Sequence, residues 1–85
     1  MISFLSGEIR NIFTEKSILE INVAGVGYEV VLPSFVMDDL VNEGKKSGEN
    51  IILEIYYHST ARSPKPLLVG FNNQIEKIFF EKIIN

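Results

Sequence analysis

The sequence lacks cysteine and tryptophan, and His58 is its only histidine. Without cysteine the chain can form neither a disulfide nor a thiolate zinc site. No apolar run reaches the roughly 20 residues that a membrane-spanning helix needs. The N-terminus carries no basic leader, so we expect a soluble, cytoplasmic protein without a membrane partner.

Groups that could do chemistry are scarce. A general base or a metal ligand at His58 would need partners that the sequence does not visibly supply. The stretch from Gly25 to Gly27 lacks the third glycine and the following helix of a dinucleotide fingerprint, and a tight hairpin explains it better. We therefore expect no catalytic residue, no metal and no cofactor.

Charge is unevenly distributed along the 85 residues, which fit a single domain with enough apolar material for a core. The net charge of −3 argues against a chain that holds nucleic acid by itself, because such binding depends on cations that neutralise phosphates. Between Ile55 and Ile75, however, there is no acidic residue, and this stretch contains His58, Arg62 and Lys65.

Five segments rich in Val, Ile and aromatic residues predict β-strands. They are residues 2–13, 17–23, 26–32, 50–60 and 66–71. The alternation is clearest in the second, where Leu19, Ile21 and Val23 face one side. Gly7 interrupts the long first strand, and an isolated glycine there predicts a bulge that bends the sheet.

Two helices are predicted around these strands. Pro33 is followed by a short helix over 34–41. At the C-terminal end, Asn73 can cap a helix while Glu76 reaches back, a variant of the capping box. An apolar stripe runs along one face of this helix and must be buried against another surface. It comprises Ile75, Ile78, Phe79 and Ile83, widened by Phe80 and Ile84.

The element order is typical of a mainly β, five-stranded OB-fold barrel with a short helix between strands three and four and a C-terminal helix. We assign residues 1–71 to the barrel domain and residues 72–85 to the C-terminal helix. Fold alone does not establish function.

Two features of the fourth and fifth strands are candidates for binding nucleic acid. Tyr56, Tyr57 and Phe71 could form a base-stacking platform, but adjacent strand residues point to opposite faces and core packing is the commoner fate. Residues 61–66 form a hairpin tip with two prolines and no apolar anchor. A weakly basic tip could contact phosphates, and a merely solvated loop explains it equally well.

Several motifs together resemble the N-terminal domain of the RuvA family, the bacterial subunits that recognise Holliday junctions. They are Gly25-Val26-Gly27-Tyr28-Glu29-Val30 followed by Pro33, the opening residues Met1, Ile2, Leu5, Gly7 and Ile9, His58 with Arg62, Leu67-Leu68-Val69-Gly70-Phe71, and Glu76, Phe80 and Ile84. The resemblance covers the whole chain. On it we assign Gly25, Gly27 and Gly70 as structural turn residues.

The resemblance implies a non-catalytic platform that forms a homotetramer and holds a four-way junction in recombination, repair and the SOS response to DNA damage. A separate ring ATPase, RuvB, would drive branch migration. In the family most DNA contacts come from helix-hairpin-helix motifs of a second domain, and a third domain contacts the ATPase. The sequence stops about where that second domain begins, so we expect an excised domain.

The chain departs from the family at one place. The family hairpin between strands four and five carries two adjacent acids after its arginine, an acidic pin at the junction's crossing point, and here these positions are Ser63 and Pro64. Arg62 and Lys65 would attract phosphates where acids would repel them. The hypothesis is that the tip of Arg62, Ser63, Pro64 and Lys65 grips the junction centre.

Two rival functions remain at this point. A free-standing OB-fold module could bind single-stranded nucleic acid or a protein partner, and it would show single-strand affinity that falls steeply with salt. An enzyme is the least expected class, because it would need a cleft with a perturbed acid or base.

Overall fold

The computed structural model describes residues 1–60 and 63–84, and its elements follow the predicted order. They are β1 (Phe4–Phe13), β2 (Ile18–Val23), β3 (Val26–Val31), α1 (Ser34–Asn42), β4 (Asn50–Thr60), β5 (Ser63–Phe71) and α2 (Gln74–Ile84). The strands close into a barrel in the order β1-β2-β3-β5-β4. The mainly β, five-stranded barrel with a helix between β3 and β4 is therefore confirmed.

β1 closes the barrel by pairing with two partners. Its first half pairs antiparallel with β4 and its second half pairs antiparallel with β2. The predicted bulge at Gly7 is wrong, because the register shifts between Ile9 and Asn11 instead. Gly7 allows the main chains of β1 and β2 to approach each other closely, because a Cβ at this position would overlap the backbone oxygen of Asn22 on β2. The strand can therefore cross from one partner to the other only without a side chain at this position.

The hairpin between β2 and β3 has a two-residue turn. Ala24 and Gly25 have φ values of 52° and 88°, the positive pair that a type I′ turn requires. The Gly25 amide donates to Asn22 Oδ1 at 2.8 Å. Gly27 is different, because it lies in β3 without a left-handed φ and with open space where a Cβ would be. Its assignment to the turn is therefore corrected.

Gly70 also lies in a strand rather than a turn. It is buried in β5, and a Cβ there would lie 2.7 Å from Val30 Cγ1 and 3.0 Å from Leu32 Cδ2. The reason for glycine is therefore packing and not backbone conformation. The surrounding core is a single cluster of Leu5, Ile9, Leu19, Ile21, Val30, Leu32, Val36, Met37, Leu40, Leu53, Ile55, Leu68, Val69 and Phe71.

α1 contributes to this core through one face. Val36, Met37 and Leu40 are buried at three- and four-residue spacing. The helix begins after Pro33, whose carbonyl accepts from the amides of Val36 and Met37, both at 3.0 Å. The predicted short helix over 34–41 is therefore confirmed.

α2 begins with the predicted cap. Asn73 Oδ1 accepts from the Glu76 amide at 2.9 Å, and Glu76 Oε1 accepts from the Asn72 amide at 2.9 Å. Within the described chain most of its apolar stripe stays exposed, since Ile75, Phe79 and Ile83 are between 65% and 79% exposed. Only Phe80 of α2 packs against the core cluster. In the part of the chain that the structure describes, no helix has the length and apolar character needed to cross a membrane.

Candidate functional site

The arms of the β4–β5 hairpin carry the residues that the sequence proposed as a site. The two strands pair antiparallel from Glu54↔Phe71 to Thr60↔Ser63, with an irregularity between His58 and Thr60. Ser63 and Pro64 lie at the start of β5. Arg62 lies outside the described residues, so its part in the proposed grip stays a prediction.

His58 and Lys65 stand together on the outer surface of these arms. Both are exposed, and both line one cavity of about 490 Å³ between β3 and β5, together with Glu29. His58 Nδ1 lies 3.4 Å from the Tyr56 hydroxyl, and the two rings stack with centroids 6.0 Å apart. His58 and Lys65, which belong to the segment without acidic residues, therefore share this cavity with the acidic Glu29 of β3.

Core packing, the commoner fate expected for Tyr56, Tyr57 and Phe71, describes these rings better than the base-stacking alternative. Phe71 is fully buried, and its ring lies 5.1 Å from that of Phe80, centroid to centroid. Tyr56 meets Phe80 edge to face at 5.5 Å. Tyr57 is partly buried against the core cluster. Tyr56 and Phe71 contact Phe80 and so attach α2 to the barrel, and a base could not stack on Phe71 without displacing the helix.

Two polar contacts attach α2 at other points. The Asn72 side-chain amide donates to Asp39 Oδ2 at 3.0 Å, which joins the start of α2 to α1. Lys77 Nζ donates to the Ser3 carbonyl at 3.3 Å, which joins α2 to the chain just before β1. Sequence reasoning missed these contacts and the role of Phe80, because all three depend on pairing between residues distant in the chain.

Among residues 1–60 and 63–84, no group of three or more His, Asp or Glu side chains could hold a metal ion. The one described ion pair, Arg10 Nε to Glu20 Oε1 at 3.5 Å, is at the surface between β1 and β2. The described arms of the hairpin expose His58 and Lys65 at the surface.

The family model and the curated relatives that match this chain all describe RuvA proteins. The family model described as RuvA N terminal domain matches residues 1–65. The chain is 44% identical over 84 residues to the Holliday junction branch migration complex subunit RuvA of Desulforapulum autotrophicum, covering 99% of this chain and 37% of that protein.

Proteins of the same name in Desulfosudis oleivorans and Oceanobacillus iheyensis are 42% and 35% identical over 85 and 86 residues. The matches cover 99% and 100% of this chain, and 39% and 38% of those proteins. The chain thus spans less than two fifths of the length of the curated relatives it matches.

Proposed function

The chain belongs to the RuvA N-terminal domain family, and from that premise we propose that it is the barrel domain of a Holliday-junction-binding subunit. The observation that carries the proposal is the extent of the family match. Residues 1–65 include four complete strands and the tip of the β4–β5 hairpin, which is the part that would face DNA.

The proposed assembly is a homotetramer that holds a four-way junction while the ring ATPase RuvB drives branch migration in recombination and repair. The barrel would be a non-catalytic, cytoplasmic component. Exposed apolar side chains support the assembly: Phe4, Ile52 and Ile78 line or border one groove between the β1–β4 surface and α2, and each is more than half exposed. Glu54, Lys77 and Glu81 also line this groove, and apolar side chains bordered by charged ones are typical of protein interfaces.

Most of the DNA affinity is proposed to come from residues outside this chain. The net charge of −3 supports this division, because it leaves few cations to neutralise phosphates. On the same proposal, α2 is the first helix of a helix-hairpin-helix domain. Its exposed apolar face, formed by Ile75, Phe79 and Ile83, would be covered by the rest of that domain.

Sedimentation of the chain over a range of concentrations, with and without a synthetic four-way junction, tests the assembly. We expect a tetramer that binds the junction weakly. A monomer that binds single strands with strong salt dependence would instead support a free-standing OB-fold module, the rival function.

A chimera tests junction recognition directly. This chain would replace the matching N-terminal segment of the Desulforapulum protein, to which it is 44% identical. We expect the chimera to bind a four-way junction more tightly than a linear duplex of the same arms. A folded, tetrameric chimera without that preference would contradict the proposal.

The hairpin tip is proposed to grip the junction centre. Ser63→Glu with Pro64→Asp, made in the same chimera, would restore the acids and is expected to weaken junction binding, because acids repel phosphates. Ser34→Glu with Asn42→Asp on α1 is the matched control, since it changes net charge equally at exposed positions away from the tip. Unchanged or tighter binding of the tip variant at matched salt would refute the grip.

A further inference from the structure

Among the described residues, β3 and β5 form a ladder at one point only. They are neighbours in the closed barrel, yet they pair only at Val31↔Val69. Two cavities of about 490 and 510 Å³ lie between the remainder of β3 and the start of β5. We call this stretch, between Gly27–Glu29 of β3 and Lys65–Leu67 of β5, the open seam. Along it, the edge of β3 that faces β5 has no ladder partner within residues 1–60 and 63–84.

The register of the β2–β3 hairpin determines which main-chain amides and carbonyls of β3 face β2 and which face the open seam. Because the two-residue turn closes on the pair Val23↔Val26, every second residue of β3 from Val26 faces β2. The Leu32 amide donates to the Ser17 carbonyl at 2.8 Å and keeps this alternation. Gly27 and Glu29 therefore turn their amides and carbonyls toward the open seam.

Neither residue has a ladder partner on β5 within residues 1–60 and 63–84, and none of the hydrogen bonds outside the strands involves their main chain. Gly27 and Glu29 are both exposed, so water satisfies them in the free chain. On the opposite strand, Pro66 has no amide hydrogen to offer. β3 is thus the strand with donors and acceptors still to be paired, and unpaired strand edges of this kind are templates for another strand.

The two cavities share Glu29, Lys65, Pro66 and Leu68, and beyond these residues they reach opposite faces of β3, because Tyr28 and Val31 alternate along the strand. The outer one is lined by Ile18, Val31 and Leu67, and the other, at the mouth of the barrel, by Ile2, Tyr28 and Tyr57. Successive side chains of an extended segment point to opposite faces. One cavity would therefore receive every second side chain of the segment, and the other cavity would receive the side chains between them. Main-chain pairing together with alternate pockets is the recognition mode of strand addition.

We propose that the open seam binds an extended segment of a partner protein, which adds as a strand to the edge of β3 at Gly27 and Glu29. The segment carries an apolar side chain toward the mouth of the barrel and a lysine or arginine toward Glu29. The Glu29 carboxylate forms no ion pair with any described residue. Glu20 and Glu29 line the mouth together with Lys65, so the occupant is assigned from the main chain and not from net charge: only another peptide main chain can add to β3 as a strand.

This site shares Lys65 with the proposed junction contact, so its test contains no DNA. The probe is an acetylated octapeptide of alternating lysine and valine, and its control is the same peptide N-methylated at alternate residues, which removes main-chain donors on one edge. Two control peptides, one methylated in each register, cover both edges. Amide hydrogen exchange of the chain is measured by NMR.

With the unmethylated peptide at about ten times its Kd, exchange at Gly27 and Glu29 is expected to slow by about tenfold, because the free fraction falls in that proportion. At least one methylated peptide must lose this protection. Equal protection by both methylated peptides, protection confined to α2, or no binding at millimolar peptide would overturn the proposal. So would protection that grows with protein concentration alone, which would assign the edge to a second copy of the chain.

A charge reversal tests the lysine contact. Glu29→Lys is expected to weaken peptide binding several-fold at low salt, and the difference should shrink as salt is raised. Glu15→Lys, in the exposed turn between β1 and β2, changes net charge equally and should leave binding nearly unchanged. Equal effects of the two variants would show a general charge effect and overturn the assigned contact.

Discussion

Replacing Gly70 with alanine tests the claim that this glycine serves core packing. The new Cβ would lie 2.7 Å from Val30 Cγ1 and 3.0 Å from Leu32 Cδ2, and Leu53 Cδ1 would be at 3.4 Å. Val30 and Leu32 are fully buried and belong to the closed barrel, so neither side chain can move into solvent. Overpacking of this kind costs about 1–3 kcal/mol.

Gly27→Ala is the matched control. Gly27 is also a strand glycine without a left-handed φ, but nothing lies within 4 Å of its added Cβ. Alanine there is expected to be neutral or to stabilise by about 0.4–1 kcal/mol, because it restricts the unfolded chain. The two variants make the same chemical change and differ in the space around it.

Urea unfolding followed by circular dichroism measures the free energy of unfolding for both variants. For a chain of this length, each kcal/mol corresponds to roughly 4–8 °C in Tm, so thermal unfolding gives a second estimate. If Gly70→Ala unfolded with the stability of the wild type, or if Gly27→Ala lost as much, the packing argument would be refuted.

Three further predictions concern α2 and the β2–β3 turn. Phe80→Ala should lower the free energy of unfolding by about 1–3 kcal/mol, because Phe80 is partly buried and loses two aromatic contacts, whereas Phe79→Ala, 65% exposed, should stay within about 0.5 kcal/mol. Asn72→Ala should cost about 0.5–1.5 kcal/mol, and a double-mutant cycle with Asp39→Ala should show coupling between the two. Ala24→Asn should raise Tm, because a left-handed alanine costs about 1–2 kcal/mol and asparagine tolerates that conformation; an unchanged or lower Tm would contradict it.

The strands were predictable because their periodicity is local. The predicted 50–60 and 26–32 match β4 and β3 to within one residue at each end. The fifth strand begins earlier than the predicted 66, at Ser63, since Pro66 suggested a turn. β5 tolerates Pro66 because its nitrogen faces the open seam, where no ladder hydrogen bond is lost.

What depends on contacts between distant elements could not be read from the sequence. The apolar period of α2 was correct, but periodicity does not say which apolar residue meets the barrel, and Phe80 rather than Ile75 does so. The hairpin candidate was found through its local composition and its family resemblance. The open seam was not found, because unpaired edges appear only once the strand order is known.

The three contacts that hold α2 have a mechanical consequence. A helix held by a single contact can rotate about it. Here α2 is held at three places: by Asp39, by Ser3, and by Tyr56 together with Phe71. An 11-residue helix is about 16 Å long, so a 10° tilt at its base would carry its far end about 3 Å sideways. The barrel therefore fixes the direction of the α2 axis. Loss of any one contact should displace the C-terminal end of the helix more than its start.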